Sequence, residues 1–357
     1  MSQHFLLSKE YRDISLHGLL RMTDEELFEF VRKIWSGNKT AMPCTRCGAI
    51  DKHSFLKSRK IWQCKHCNRG FSLTSGTVWA DMKLPLSKLV MIIHQFCTSA
   101  NGISAVKVSE EAGVTHKTAW VVMHKLRETI MRSVDETSMS GEIHIDGGHF
   151  GGKPRSGQFR PSQKARWAAA ADKLAGKTQG IKRRGISRAN YERKKRNRRI
   201  VMVARQVVPG EGANKTRVFL SSGENEAIAK HIAQNCISKG SLVRTDENKA
   251  YESYDLRFQH ETVEHSKEYS TIDGVNNNQA ESYFSRLRRC EYGTTHRMQA
   301  AYMIDYAHEM AWKEDWRRKS ACEKLVNLLE RSFSIGLSRW WRGYWQGYRR
   351  NDEMLMA

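Results

Sequence analysis

The sequence predicts a multidomain chain: a zinc ribbon, a helical segment of helix-turn-helix type, and an α/β core built on a mixed sheet. Three observations predict it. Two Cys-x-x-Cys pairs stand close together near the N-terminus. A stretch of helical apolar periodicity, broken by a glycine, follows them. The middle of the chain then carries three strand-like runs, a helix, a strand ending in an acid and a later acid-bearing helix. The expected boundaries are 1–40 for a helical lead-in, 41–75 for the ribbon, 85–132 for the helix-turn-helix-like segment, 141–300 for the core with a basic insertion at 153–199, and 301–357 for a helical, aromatic and basic C-terminal tail.

In the lead-in, Thr23-Asp24-Glu25-Glu26 starts a helix with acids in its first turn, where the helix dipole favours them. Leu27, Phe28, Phe30, Val31 and Ile34 supply its apolar face. Next come Cys44-Thr45-Arg46-Cys47 and Cys64-Lys65-His66-Cys67, with 16 residues between Cys47 and Cys64. Two thiolates from each of two tight turns make a closed tetrahedral zinc site, so the metal is expected to be structural. Gly48 and Gly70 follow the two pairs, and Ser54-Phe55-Leu56 and Ile61-Trp62-Gln63 read as short strands between them. No βαβ pattern surrounds either pair, which argues against a redox role.

Pro85 opens a helix through Leu89, Ile92, Ile93 and Phe96 that ends at Asn101-Gly102. A second runs from Ile103 to Ala112, Gly113 turns the chain, and Thr115 caps a third. The third is expected to bury Ala119, Val122, Met123 and Leu126 and to present His116, Lys117, His124, Lys125 and Arg127 outward, Lys117 and Lys125 toward DNA. Helical bundles without DNA share this pattern.

Charge narrows the partner. The 357 residues hold 60 Lys and Arg against 38 Asp and Glu, a formal net charge of +22, which calls for a polyanion. No apolar run approaches the roughly 20 residues of a membrane span, and residues 1–8 lack the apolar stretch of a signal peptide. A cytoplasmic, nucleoid-associated protein is expected, in which the eight cysteines serve as metal ligands or buried thiols. Between Lys153 and Arg199 stand 17 Lys and Arg and two acids, densest at Arg193, Lys194, Lys195 and Arg196. Such a block repels itself and reads as an arm laid along DNA phosphates, the alternative being a solvated loop.

Glu142-Ile143-His144-Ile145-Asp146 reads as a strand ending at an acid, before Gly147-Gly148. Ile200–Ala204 and Thr216–Leu220 are two further strands, Glu224–Ser238 is a helix, and Ser241–Thr245 is a strand that ends at Asp246. Asn277–Arg289 is a helix carrying Glu281, 35 residues beyond Asp246. This is the element order of a ribonuclease-H-like domain. If the two strands are neighbours, Asp146 and Asp246 converge, and Glu281 can pack beside them. Three converging carboxylates need cations, and two Mg²⁺ (or Mn²⁺) ions about 3.5–4 Å apart would serve phosphoryl transfer there.

These residues resemble the DDE transposases of bacterial insertion sequences, in the group with an N-terminal zinc ribbon and a ribonuclease-H-like core. The resemblance covers roughly residues 20–320. It lies in the four cysteines, Lys117-Thr118-Ala119-Trp120, Ile145-Asp146-Gly147-Gly148-His149-Phe150-Gly151-Gly152-Lys153, Thr245-Asp246-Glu247-Asn248-Lys249-Ala250-Tyr251 and Asn278–Arg289. It implies cleavage at an element's ends and strand transfer into target DNA, with Asp146 and Asp246 as metal ligands. It also implies a third ligand at Asn278 or Glu281, DNA contacts from Arg288 and Arg289, and a homo-oligomer assembled on DNA. Charge favours Glu281 as the ligand and Asn278 as its helper. A DNA-binding regulator and a zinc-ribbon nuclease that cuts without joining are the alternatives. The tail Trp340-Trp341-Arg342-Gly343-Tyr344-Trp345 suits either packing or stacking on unpaired bases.

Overall fold

The computed structural model describes residues 5–37, 42–50, 53–151, 198–208, 210–263, 277–296, 298–350 and 352–356, with short pieces of 167–176 and Ala189. Arg193, Lys194, Lys195 and Arg196, the densest part of the expected arm, lie outside the described residues.

After a short helix α1 (Leu16–Arg21), α2 (Asp24–Ser36) begins at a complete capping box: Thr23 Oγ1 accepts from the Glu26 amide, and the Glu26 carboxylate accepts from the Thr23 amide. Strands β1 (His53–Leu56), β2 (Ile61–Cys64) and β3 (Gly70–Phe71) form an antiparallel ribbon. Phe28 of α2 sits 5.8 Å from Trp62, which stacks 5.7 Å from Phe71, so the lead-in helix and the ribbon share one aromatic core. That core continues into α3 (Leu86–Thr98), α4 (Ala105–Ala112) and α5 (His116–Arg132). Gly113, at φ +56°, makes the left-handed turn between α4 and α5, and Thr115 caps α5 through the Thr118 amide.

The second half is a five-stranded sheet in the order β6-β5-β4-β7-β8. Its strands are β4 (Glu142–Phe150), β5 (Arg199–Val208), β6 (Gly212–Ser221), β7 (Leu242–Asp246) and β8 (Gln259–Val263). β4, β5 and β6 are antiparallel, while β7 runs parallel to both β4 and β8. Helix α6 (Glu226–Cys236) shares a core with one face through Ile143, Ile145 and Val243. Helices α7 (Asn278–Arg289) and α8 (Ala300–Asp315) share a core with the other face through Val201, Val203, Val218 and Leu220. Helices flanking a mixed five-stranded sheet are consistent with a nuclease-like core.

Two expectations need correcting here. The first core strand does not stop at Asp146: its antiparallel pairing with β5 continues from Asp146↔Val203 to Phe150↔Arg199. What ends before Asp146 is the parallel pairing with β7, at His144↔Arg244. The second concerns α5, where Val121 through Ile130 are all buried. His124, Lys125 and Arg127 therefore do not face outward: they are 0%, 6% and 2% exposed. The 3.6-residue period marks one apolar stripe, but α5 is packed by α3, α4, α8 and α9 (Ala321–Ser334) on several sides. Its polar stripe meets the acids of α8: Arg127 Nε lies 2.8 Å from Glu309, and His124 lies 3.5 Å from Asp305. β8 was not foreseen, because Gln259-His260-Glu261-Thr262-Val263 is polar, as suits an edge strand.

Candidate active site and metal ribbon

Each Cys-x-x-Cys pair closes a turn of the same design. The Gly48 amide donates to the Cys44 carbonyl and the Asn68 amide to the Cys64 carbonyl, at 2.9 Å each. Gly48 and Asn68 both take left-handed φ, +73° and +58°, so Asn68 rather than Gly70 makes the second turn. The four sulfurs all lie within 4.8 Å of one another. Cys44 to Cys67 is 3.6 Å and Cys47 to Cys64 is 3.7 Å. A tetrahedron with Zn–S bonds of about 2.3 Å has edges of roughly 3.8 Å, so the thiol cage has the size of a zinc ion. The amides of Cys47 and Arg46 point at the Cys44 sulfur and lower its thiol to about 6, toward the thiolate that zinc requires. Among the described residues, this is the only group of three or more Cys, His, Asp or Glu drawn so close.

The acid site forms where β4 and β7 part. Their register aligns Glu142 with Leu242 and His144 with Arg244, so two further residues along each chain bring Asp146 level with Asp246. Ile143 and Ile145 face α6, and strand alternation turns Asp146 to the opposite face, toward α7. The Gly147 amide donates to Asp146 Oδ1 at 2.7 Å, and the Asn248 amide donates to Asp246 Oδ1 at 3.3 Å. Helix α7 is fixed over this point by two contacts. Buried Asn277 donates from Nδ2 to the Ile145 carbonyl at 3.2 Å. Phe284 lies against Gly148, where an added Cβ would come within 2.5 Å of the ring. Glu281, in the first turn of α7, is half-buried, and Asn278 is exposed.

Electrostatics tie the acids together. Burial pushes the Asp146 carboxyl up to about 7, helped by the negative charges of Asp246, Glu224 and Glu281 and opposed by the Gly147 amide. Asp246 and Glu281 are thus both within electrostatic reach of Asp146. So is a fourth acid that the sequence did not single out. Glu224 reads as an ordinary N-terminal helix acid, yet it stands two residues before α6 and accepts from Tyr251 Oη at 2.7 Å. Burial raises its carboxyl too, with the charge of Asp246 adding to the effect.

Two family models cover the two sites. Residues 138–315 match the ISXO2-like transposase domain, which includes all four acids, and residues 22–70 match the transposase zinc-ribbon domain. The chain belongs to the ISXO2-like transposase family. No curated protein and no solved structure matches it.

The cations expected to meet DNA are distributed unevenly over this transposase. Lys117 is exposed at the start of α5, with its ammonium 4.3 Å from the Trp345 ring and 5.3 Å from the Tyr344 ring. Arg288 and Arg289 are exposed on the last turn of α7. Lys125 is not available: burial lowers its ammonium to about 8 and holds it away from solvent. Arg286 pairs with Glu314. Within the Trp-rich tail Trp341 packs, 2% exposed and 4.9 Å from Trp120 and 4.5 Å from His124, whereas Trp345 is 53% exposed. Among the described residues, no helix is long and apolar enough to cross a membrane.

Proposed function

We propose that this transposase cuts DNA at the ends of an insertion sequence and joins those ends to target DNA. In this reading a ribonuclease-H-like core holds the active site, with Asp146, Asp246 and Glu281 as ligands to two Mg²⁺ or Mn²⁺ ions. The observation that carries it is the β4–β7 register that brings Asp146 level with Asp246 inside the matched transposase domain; burial, and then the charges of Asp246, Glu224 and Glu281, raise the Asp146 carboxyl. A cluster of carboxylates that raise one another's affinity for protons suits a divalent cation, which relieves the same repulsion with hard oxygen ligands. Bound there, the ions supply Lewis acidity for in-line phosphoryl transfer.

The chain's own residues do the rest. The Gly147 and Asn248 amides orient the two aspartates from their own turns. Asn277 anchors the start of α7 to β4, which brings Glu281 and Asn278 to the site as ligand and helper. Arg288 and Arg289, one to two turns further along the same helix, neutralise phosphates of the strand being cut. Lys117 and the arm at Arg193, Lys194, Lys195 and Arg196 supply affinity, with the zinc ribbon and the α4–α5 unit as further DNA-binding surfaces.

A labelled element end with its flanking DNA tests this. With Mg²⁺ the protein is expected to nick at the end and to yield strand-transfer products, and Asp146→Ala and Asp246→Ala are each expected to abolish both while DNA is still bound. Nicking without joined products would favour a nuclease. Binding with no metal-dependent nicking would favour a regulator.

A further inference from the structure

We propose that Glu224 is a fourth carboxylate of the metal site, held in position by Asn248 and Tyr251. The inference rests on the reading of Asp146 and Asp246 as metal ligands and adds a residue to that set. Three residues from two parts of the chain converge on it.

The first is Gly147. A Cβ built there would lie 2.7 Å from the carboxyl carbon and from both carboxylate oxygens of Glu224. Gly147 does not adopt a left-handed φ, so what its missing side chain provides is space. The space is filled by a carboxylate, against the residue that follows Asp146 in β4. The second is Tyr251. Its ring is fully buried, and its hydroxyl donates to Glu224 Oε1 at 2.7 Å. A buried phenol satisfied by a carboxylate fixes that carboxylate, because either group alone would be left desolvated and unpaired. The third is Asn248, whose side chain also hydrogen-bonds to Glu224. Asn248 and Tyr251 stand two and five residues after Asp246, so the turn that positions Asp246 also grips Glu224.

Glu224 approaches from the α6 side of the sheet, while alternation directs Asp146 toward α7. Gly147, which Glu224 touches, and Asp146 both lie just past the end of the β4–β7 pairing, and the charge of Glu224 reaches Asp146. Among the described residues Glu224 has no Lys or Arg partner. A half-buried carboxylate placed against Gly147, within electrostatic reach of Asp146, clamped by two neutral donors and lacking a cationic partner, has the chemistry of a ligand for a divalent cation.

Full-length Glu224→Gln keeps the shape and an acceptor for Tyr251 while removing the charge. Mn²⁺ binding, read by calorimetry and by the Mn²⁺ resonance signal, is expected to weaken about 10–100-fold, with the thermal midpoint kept. Tyr251→Phe, which only frees the carboxylate to move, is expected to weaken Mn²⁺ binding by less and to be rescued by higher Mn²⁺. Asp146→Asn and Asp246→Asn serve as controls. If both aspartate variants lose Mn²⁺ and Glu224→Gln binds like the parent, the assignment of Glu224 is overturned and the aspartate site stands. If none of the three changes Mn²⁺ binding, the whole metal-site reading falls with it. Should Glu224→Gln fold poorly, Glu224→Asp withdraws the carboxylate by one methylene, and parent-like Mn²⁺ binding there would overturn the assignment equally.

Discussion

At the scale of single residues, the site is built by glycines as much as by acids. Gly147 and Gly148 read in sequence as a turn after a strand, but they are inside β4 and make room for Glu224 and Phe284. Gly148→Ala would drive a methyl within 2.5 Å of the Phe284 ring and 2.9 Å of Phe150. We expect it to destabilise the fold by about 1–3 kcal/mol, read as a fall in thermal midpoint, and to lift α7 from the sheet. The Asp146 carboxyl is pushed up to about 7 from an ordinary aspartate value of 3.8. For an acid raised in this way, the folded state holds a proton that the unfolded state has released. Its favourable contribution is complete below about pH 4 and is lost as pH rises through 7. In chelator, Asp146→Asn should therefore match the parent near pH 4 and exceed it in stability at pH 8, by on the order of 1–2 kcal/mol after solvent screening. Equal pH dependence in the two proteins would count against the raised carboxyl.

Two elements carry most of the difference between expectation and structure. The ribbon was legible because four cysteines at fixed spacing leave few alternatives, and each turn needs only local hydrogen bonds. Zinc analysis is expected to return one ion per chain. Cys64→Ser should lower that occupancy and release the shared Phe28, Trp62 and Phe71 core, read as loss of the ribbon's near-ultraviolet signal. In α5 the apolar stripe was legible and the fate of the polar stripe was not. Lys117 stays exposed at the N-terminal end, whereas Lys125 is buried two turns later. Lys117→Ala should weaken DNA binding and reduce its salt dependence by about one counterion, while Lys125→Met should leave the salt slope unchanged. A salt slope altered by Lys125→Met alone would reverse that assignment.

For the whole molecule, α8 is the spine. Its acids bind cations from every neighbouring part of the chain: Asp305 takes Arg350, Glu309 takes Arg127 and Lys313, and Glu314 takes Arg205 and Arg286. Asp315 accepts from Thr216 at 2.6 Å. The helical half, the sheet and the C-terminal tail thus meet on one helix, and the tail closes the sheet through Arg199 to Glu353 and the Met356 amide to the Leu220 carbonyl at 2.7 Å. Glu314→Ala would strand three guanidinium groups, those of Arg205, Arg286 and Arg317, the first of them fully buried, and is expected to cost about 3–5 kcal/mol, checked by denaturant unfolding. The basic block at 153–199 belongs to this scale as well, since it holds most of the net charge of +22. Replacing Arg193, Lys194, Lys195 and Arg196 with Ala should weaken binding to every DNA sequence and flatten its salt dependence.

The sequence by itself determined the parts whose cause is local. Cysteine spacing, the capping box at Thr23 and Glu26, the Gly113 turn and the strand that ends at Asp246 need only neighbours in the chain to be read. Family motifs added Glu281 and Asn278 to the candidate site. The tertiary structure decided what depends on distant segments. It buried His124 and Arg127 because acids on α8, distant in the chain, lie opposite them, and it buried Lys125 on the same packed helix. It extended β4 past Asp146 because β5 continues to pair with it. It drew Glu224 to Gly147 because Tyr251, arriving from the turn after β7, needs a buried acceptor. Periodicity reports that a side chain has a face, but only packing supplies the group that the face meets.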